Sequence, residues 1–351
     1  FFSYLTAYIF WITIVWGAMF FSFLHHLTGA DWSIVLRRIL ETMLMTLPLM
    51  ALLFIPILFG LHDLYHWSHA DVVAADPILL KKSAYLNPVF FTIRMILYFT
   101  VWHLLSRALY KTSLAQDQNS KQEQITKMKR ISAPGMILFA LSITFASFDL
   151  LMSLEAHWYS TIFGVYIFGG SLLAILTTLV FLGLFLRKKQ ILAETITVEH
   201  YHDLGKFLFA FIIFWGYIGF SQYFLIWYAN IPEETIWYLA RWGGSWKIIT
   251  MLLVFGHFLI PFILLMPRAV KRNLALLKII ALWIFIMHWV DLYWIIMPSF
   301  HHHGPVFSWM DLAGFIGIGG LFIWAFMNRF TANALVPIND PRLDVSIKMK
   351  N

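Results

Sequence analysis

Apolar residues fall in long blocks along this chain, without the alternating rhythm of a half-buried strand. Nine blocks reach the roughly 20 residues that a helix needs to cross a hydrocarbon layer about 30 Å thick. They cover residues 1–27, 33–60, 88–111, 134–154, 158–186, 203–229, 245–266, 274–297 and 309–328. A helix satisfies its own backbone hydrogen bonds when lipid surrounds it. The pattern predicts an all-α polytopic membrane protein, with residues 1–330 as one transmembrane domain. Spans 33–60 to 158–186 could form one four-helix unit and spans 203–229 to 309–328 another.

The polar stretches between the blocks are few. SLAQDQNSKQEQITKMKR (113–130) predicts a flexible loop over 112–131. Residues 61–87 form a longer connection, in which DVVAADPILLKK suits a short helix lying along the interface. Residues 331–351 read as a moderately polar C-terminal tail, either extended or lying against a partner.

Composition sharpens this picture. Hydrophobic residues make up 60% of the chain and charged residues 12%, against roughly 25% charged in soluble domains. The net charge of +7 sits in a few loops and matches no nucleic-acid-binding pattern. Cys is absent, so within this sequence there is no disulfide, thiolate-bound iron–sulfur cluster or c-type haem attachment. Lys and Arg gather at Arg37–Arg38, Lys111–Arg130, Arg187–Lys189, Arg268–Arg272 and Arg329, which assigns those loops and the C-terminus to the cytoplasm. The opposite side holds His62, His66, His69, Glu155, His157 and the triplet His301–His303. Span 1–27 then starts outside. FFSYLTAYIF has neither an initiator Met nor a basic leader, so a cytoplasmic N-terminus requires one more span, ten in all.

Ionisable residues inside spans are costly unless paired, neutralised or watered, and they rank first as candidates. Asp149 lies near the outer end of its span in FASFDLLMSLEAHW. It reads as a proton-exchanging group or as a polar clasp between helices. His288 and Asp291, three apart in FIMHWVDLYW, share a helix face and suit a relay. His257 in VFGHFLIPF precedes Pro261, which frees the His257 carbonyl and favours a kink. Glu41 lies about two turns into its span. These five occur at successive depths and could form a ladder across the membrane. Arg94, Glu155 and His157 are candidates for its outer end, with Arg94 also suited to pairing a carboxylate. His25, His103, His257 and His288 do not form a recognisable haem-ligand pair, and the outer His triplet is a weak metal signal. Trp and Tyr near span ends read as interfacial anchors. GVYIFGGSLL (164–173) and GFIGIGG (314–320) carry small residues that favour close helix packing.

SAPGMILFALSITFASFDLLMSLEAHWYSTIFGVYIF (132–168), GKFLFAFIIFWGYIGFSQYFLIWYANIPEETIWY (205–238), HFLIPFILL (257–265) and MHWVDLYW (287–294) carry a resemblance that spans nearly the whole chain. It resembles the NrfD/PsrC-like family of quinol-oxidoreductase membrane subunits, specifically the second of the two large ones in bacterial alternative complex III. The resemblance implies ten helices, as two four-helix bundles plus two more, in the bacterial inner membrane. It implies a multisubunit respiratory complex with a paralogous NrfD-like subunit, multihaem cytochrome c subunits, an iron–sulfur subunit and, in some assemblies, a terminal oxidase. Haem c and iron–sulfur clusters then belong to partners. This chain binds no cofactor of its own, with a quinone as the one candidate ligand beyond lipids. The role implied is proton conduction through Asp149, His257, His288, Asp291 and Glu41. A purely structural scaffold and an independent secondary transporter are the competing functions.

Overall fold

The computed structural model describes residues 1–118 and 122–350. Among the described residues there is no strand, and nine helices are long and apolar enough to cross a membrane. We label them α1 (Phe2–Thr28), α2 (Ile34–Phe59), α3 (Pro88–Gln118), α4 (Gln122–Leu150), α5 (Phe163–Lys188), α6 (Val198–Ala229), α7 (Trp246–Leu265), α8 (Leu274–Ile296) and α9 (Trp309–Phe330). The chain is an all-α polytopic membrane protein.

A helix that is apolar on every side belongs in the middle of a bundle. In α1 this holds: 89% of its apolar window is buried within the protein, against 28% for α6, α7 and α9. Around it, α1 to α4 pack as a ring, and α5 to α8 form a second ring. The rings meet along α1 and α5, and α9 lies outside against α1 and α2. The four-helix units are therefore α1–α4 and α5–α8, one span earlier than the division suggested by sequence. The reason is the seam. Gly17 of α1 lets the backbone of α5 approach so closely that an added Cβ would sit 2.3 Å from the Ser171 carbonyl oxygen. The small residues of 314–320 serve the α9 contact, where Gly319 accommodates the Trp11 ring and Trp11 Nε1 donates to the Phe315 carbonyl at 3.0 Å.

Two spans are interrupted. Pro48 cannot donate to the Leu44 carbonyl, and α2 turns at Met45–Thr46, where the Thr46 hydroxyl donates to the Met43 carbonyl. In α7 the helix widens to a π-turn over Leu253–Leu259, just before Pro261. Trp283 Nε1 donates to the Gly256 carbonyl at 2.6 Å there, supporting the backbone that the widened turn exposes.

The predicted 112–131 loop is mostly helix. α3 runs to Gln118 and α4 starts at Gln122, while the part of that loop at 119–121 lies outside the described residues. The polar side chains of 116–117 are not solvated. They bind Arg37 and Arg38 of α2, which extends the helix beyond the apolar run. DVVAADPILLKK forms two short helices, Ala70–Ala75 and Pro77–Lys82, because the Asp76 carboxylate caps the second by accepting from Ile78 and Leu79. The tail folds back onto the α1–α2 turn, with the Ser346 hydroxyl donating to the Trp32 carbonyl.

The connections at each end touch one another. At the basic end Arg272 pairs with Glu199. At the histidine-rich end Trp158 Nε1 donates to the Glu234 carbonyl and Trp246 Nε1 to the His301 carbonyl. Two cations cap helix C-termini, where carbonyls lack helical partners. Arg241, in the connection between α6 and α7, is buried against the Trp294 and Ile295 carbonyls of α8, and burial lowers its pKa to about 9. Lys271 takes the Leu265 and Met266 carbonyls of α7.

The seam makes a test. Gly17→Val forces α1 and α5 apart and should destabilise the folded protein by about 1–3 kcal/mol or more. The reading is a lower denaturation midpoint and reduced monodisperse yield in detergent. Gly317→Val, at a glycine whose added Cβ meets nothing within 4 Å, should leave both nearly unchanged.

Candidate functional site

The second ring converges on Asp291. This α8 carboxylate accepts from the Tyr166 hydroxyl of α5 at 2.5 Å and from Trp215 Nε1 of α6 at 3.2 Å. His257, in the π-turn of α7, stacks at 4.2 Å from the Trp215 ring centroid. All four helices of the ring thus contribute one side chain. Asp291 and His257 are 2% and 0% exposed. Both donors to Asp291 are neutral, and among the described residues no ion pair is found for it. Neither ring nitrogen of His257 has a protein partner, so its tautomer can change without breaking a bond to the protein.

His288 stands one turn deeper on α8 but does not pair with Asp291. It turns to the seam, where its Nε2 lies 3.0 Å from the Thr13 hydroxyl of α1. That hydroxyl donates to the Phe10 carbonyl at 2.6 Å. Its one proton is therefore used, and His288 Nε2 must be the donor to it. Gly170 of α5 makes room for the ring: a Cβ there would lie 2.9 Å from His288 Cε1.

Asp149 sits in the first ring in a different setting. Arg94 of α3 grips it with Nε and Nη2 at 2.9 and 2.8 Å, and Tyr98 donates to it at 3.1 Å. Arg94 also donates to the Tyr85 carbonyl and lies over the Tyr85 and Phe90 rings. Arg94, read both as an outer-end candidate and as a partner for a carboxylate, is the counter-ion of Asp149. A bidentate guanidinium–carboxylate pair is a strong fixed contact, so the geometry at Asp149 is that of a clasp.

Glu41 is held at the basic end. Its Oε2 accepts from the Ser113 hydroxyl at 2.5 Å, while Arg37 Nε and His26 Nε2 lie 3.3 and 3.6 Å from Oε1. Direct contacts do not link the five ladder candidates to one another. Glu41 and Asp149 belong to the first ring, where their α3 partners Ser113 and Arg94 are roughly 28 Å apart along the helix, with the packed rings of Trp16 and Trp102 on the same stretch. Asp291 and His257 belong to the second ring, and His288 to the seam. Depth along each span was legible; the division between rings was not.

Glu155 and His157 lie partly exposed at the histidine-rich end. His157 bridges Asp76 at 2.6 Å and Glu155 at 3.4 Å. The hydrogen bond from His157 holds the Asp76 carboxyl below its ordinary range. Nearby, Ser160 donates to Gln222, which donates to the Tyr238 hydroxyl, each at 2.9 Å. Sequence reasoning missed Tyr166, Trp215, Thr13, Tyr98 and Asp76. Trp215 carried a usable signal, since it stands mid-span in FIIFWGYIGF and cannot be an interfacial anchor there.

Among the described residues no group of three or more His, Asp or Glu side chains is arranged to hold a metal ion. A quinone site is mostly apolar, with a few hydrogen-bonding groups placed for the carbonyls. One groove of about 380 Å³ between α2 and α3 is lined by Leu47, Pro48, Ala51, Phe99, Thr100, His103 and Leu104. Its Thr100 hydroxyl is committed to the Ile96 carbonyl at 2.7 Å, leaving His103 alone. The groove offers a quinone one side-chain hydrogen-bonding group, His103. What fold and site define is a polytopic helical membrane protein with a buried carboxyl–His–Trp–Tyr centre. No protein-family model matches the chain, and no curated protein matches it.

Two predictions follow from these pairs. Asp149→Asn strands a buried Arg94 and should cost about 3–5 kcal/mol, whereas Arg94→Met with Asp149→Leu should cost far less. Chemical denaturation in detergent as a double-mutant cycle reads the coupling. The second concerns Asp340 in the tail. Burial alone would raise its pKa, but hydrogen bonds from Arg342 and the charge of Arg37 outweigh it and hold the carboxyl at about 2, below the ordinary 3.8. The folded value is depressed, so its contribution is complete above about pH 4 and disappears as pH falls through about 2. Hydrogen exchange of residues 333–347, corrected for intrinsic rates, should rise across that window.

Proposed function

We propose that this chain is the second large membrane subunit of a quinol-oxidising respiratory complex like bacterial alternative complex III, and that it moves protons while partner subunits move electrons. In this reading it lies in the bacterial inner membrane, with its basic end in the cytoplasm. A paralogous NrfD-like subunit, multihaem cytochrome c subunits and an iron–sulfur subunit supply the redox centres, and quinol oxidation takes place in the paralogue.

The observation that carries the proton reading is Asp291, a buried carboxyl group contacted by neutral donors from two other helices of its ring. Such a group can take up and release a proton without breaking an ion pair. His257, free at both nitrogens across the Trp215 ring, is its relay candidate, and His288 its link towards the seam. Tyr238, Gln222 and Ser160 offer polar atoms towards the histidine-rich end. Asp149 drops from proton carrier to clasp. The scaffold reading keeps support from the Arg94–Asp149 pair, which binds α3 to α4.

The test compares Asp291→Asn with Asp149→Asn in the purified complex, reconstituted in liposomes. Asp291→Asn should assemble normally and reduce the protons released per quinol, with turnover reduced at least tenfold where proton release is coupled to it. Asp149→Asn should reduce the amount of assembled complex while leaving turnover per complex unchanged. Normal proton stoichiometry and rate in assembled Asp291→Asn would remove the group from the mechanism and leave the scaffold reading.

A further inference from the structure

At the basic end of the first ring, α1, α2 and α3 enclose a charged chamber. Arg37, Arg38 and Glu41 are each at most 2% exposed. Arg37 and Arg38 face Glu41, and Arg38 also pairs with Asp117 at 2.7 Å. The charges of α2 and α3 balance by themselves, two cations against two carboxylates. Hydrogen bonding inside is nevertheless incomplete: Arg38 Nη1 has no partner, and Arg37 Nε, Arg38 Nε and His26 Nε2 reach Glu41 only in looser ionic contacts of 3.3, 3.9 and 3.6 Å. Buried donors left unpaired or loosely paired are costly, and water is a partner that would complete their hydrogen bonding.

The C-terminal tail closes this chamber. Asp340 is 4% exposed. It accepts from Arg37 at 2.5 Å and from Gln116 at 3.3 Å, and it is backed by Arg342 at 3.1 Å. Beside it Asn339 donates to the Asp117 carbonyl at 2.6 Å, and Asn333 to the Tyr110 hydroxyl at 3.0 Å. The attachment combines these polar contacts with apolar packing of Leu335, Leu343 and Ile347 on the core, while Ile338 and Val345 are 61% and 59% exposed. Lifting the segment removes Asp340 and Arg342 together, one charge of each sign, so the open chamber stays neutral.

We infer that residues 333–347 are a removable lid, latched by Asp340, that controls access of water and small polar solutes to Glu41 and His26. The closed form seals these incompletely bonded charges, and the open form hydrates them, which makes both states accessible to the same sequence. The inference does not require Asp291 to carry protons.

The absence of Cys from the chain provides a clean reporter. Ser113, fully buried and bound to Glu41, is replaced as Ser113→Cys. Labelling by a charged, membrane-impermeant methanethiosulfonate is followed in the purified complex by mass analysis of this chain. With the native tail, labelling should be slow. Adding Asp340→Ala should speed it at least tenfold, while Asp340→Glu, which keeps the carboxylate, should leave it slow. Ser171→Cys, in the seam and equally buried, is the control for loosening of the whole protein and should stay unlabelled in all backgrounds. Equal Ser113→Cys rates with and without Asp340→Ala would overturn the lid, as would a parallel rise at Ser171→Cys. Failure of the proton reading would appear in the Asp291→Asn assay and leave these rates unchanged.

Discussion

Hydrocarbon offers a buried polar group no hydrogen-bond partner, so partners within this protein come from other parts of the helix assembly or from water. Lipid is also as apolar as the helices, so burial of Leu or Phe gives little preference for one helix neighbour over another. Close backbone approach and polar pairing are left to decide the arrangement. The seam at Gly17 and Ser171 supplies the first, and the Arg94–Asp149 and Arg38–Asp117 contacts supply the second. α1 is central because it joins both: it packs on α5 through Gly17 and gives Thr13 to His288 and His26 to Glu41.

The two rings solve the problem of a buried carboxylate in opposite ways. In the first, Asp149 is neutralised by a guanidinium that is itself wrapped by Tyr85 and Phe90. In the second, Asp291 is met by a phenol and an indole. An ion pair holds its charge state at the cost of flexibility, whereas neutral donors tolerate both protonation states. The same residue type, on the fourth helix of each ring, thus serves as a clasp in one and as a candidate exchange group in the other. The π-turn around His257 belongs to the same logic. It widens the helix where a ring must reach Trp215, and Trp283 supports the backbone that this exposes.

The polar ends obey the same constraint. At the basic end, residues that look like a solvated loop are drawn into helix by Arg37 and Arg38, and the tail adds Asp340 to the same network. At the histidine-rich end, Arg241 leaves water to cap the last carbonyls of α8 and stacks at 3.5 Å on Trp237. In both cases a cation that appears exposed in sequence is buried, because carbonyls and carboxylates of other elements were waiting there unpaired.

The apolar blocks alone determined nine spanning helices and all-α class, since length and composition leave no other structure that satisfies the backbone in lipid. They also located the costly side chains, because Asp149, Asp291, His257 and His288 stand out in any apolar run. The pairing of Arg94 with a carboxylate and the irregularity before Pro261 were legible for the same local reasons. Which carboxylate Arg94 holds, which helices share a ring, and how Asp291 is solvated were decided only by tertiary structure. These depend on contacts between spans far apart in sequence, 125 residues from Tyr166 to Asp291 and 275 from Thr13 to His288. No periodicity within one helix encodes them, because each helix is apolar on nearly every face and shows its neighbours only through where a glycine, a tryptophan or a charge happens to meet its counterpart.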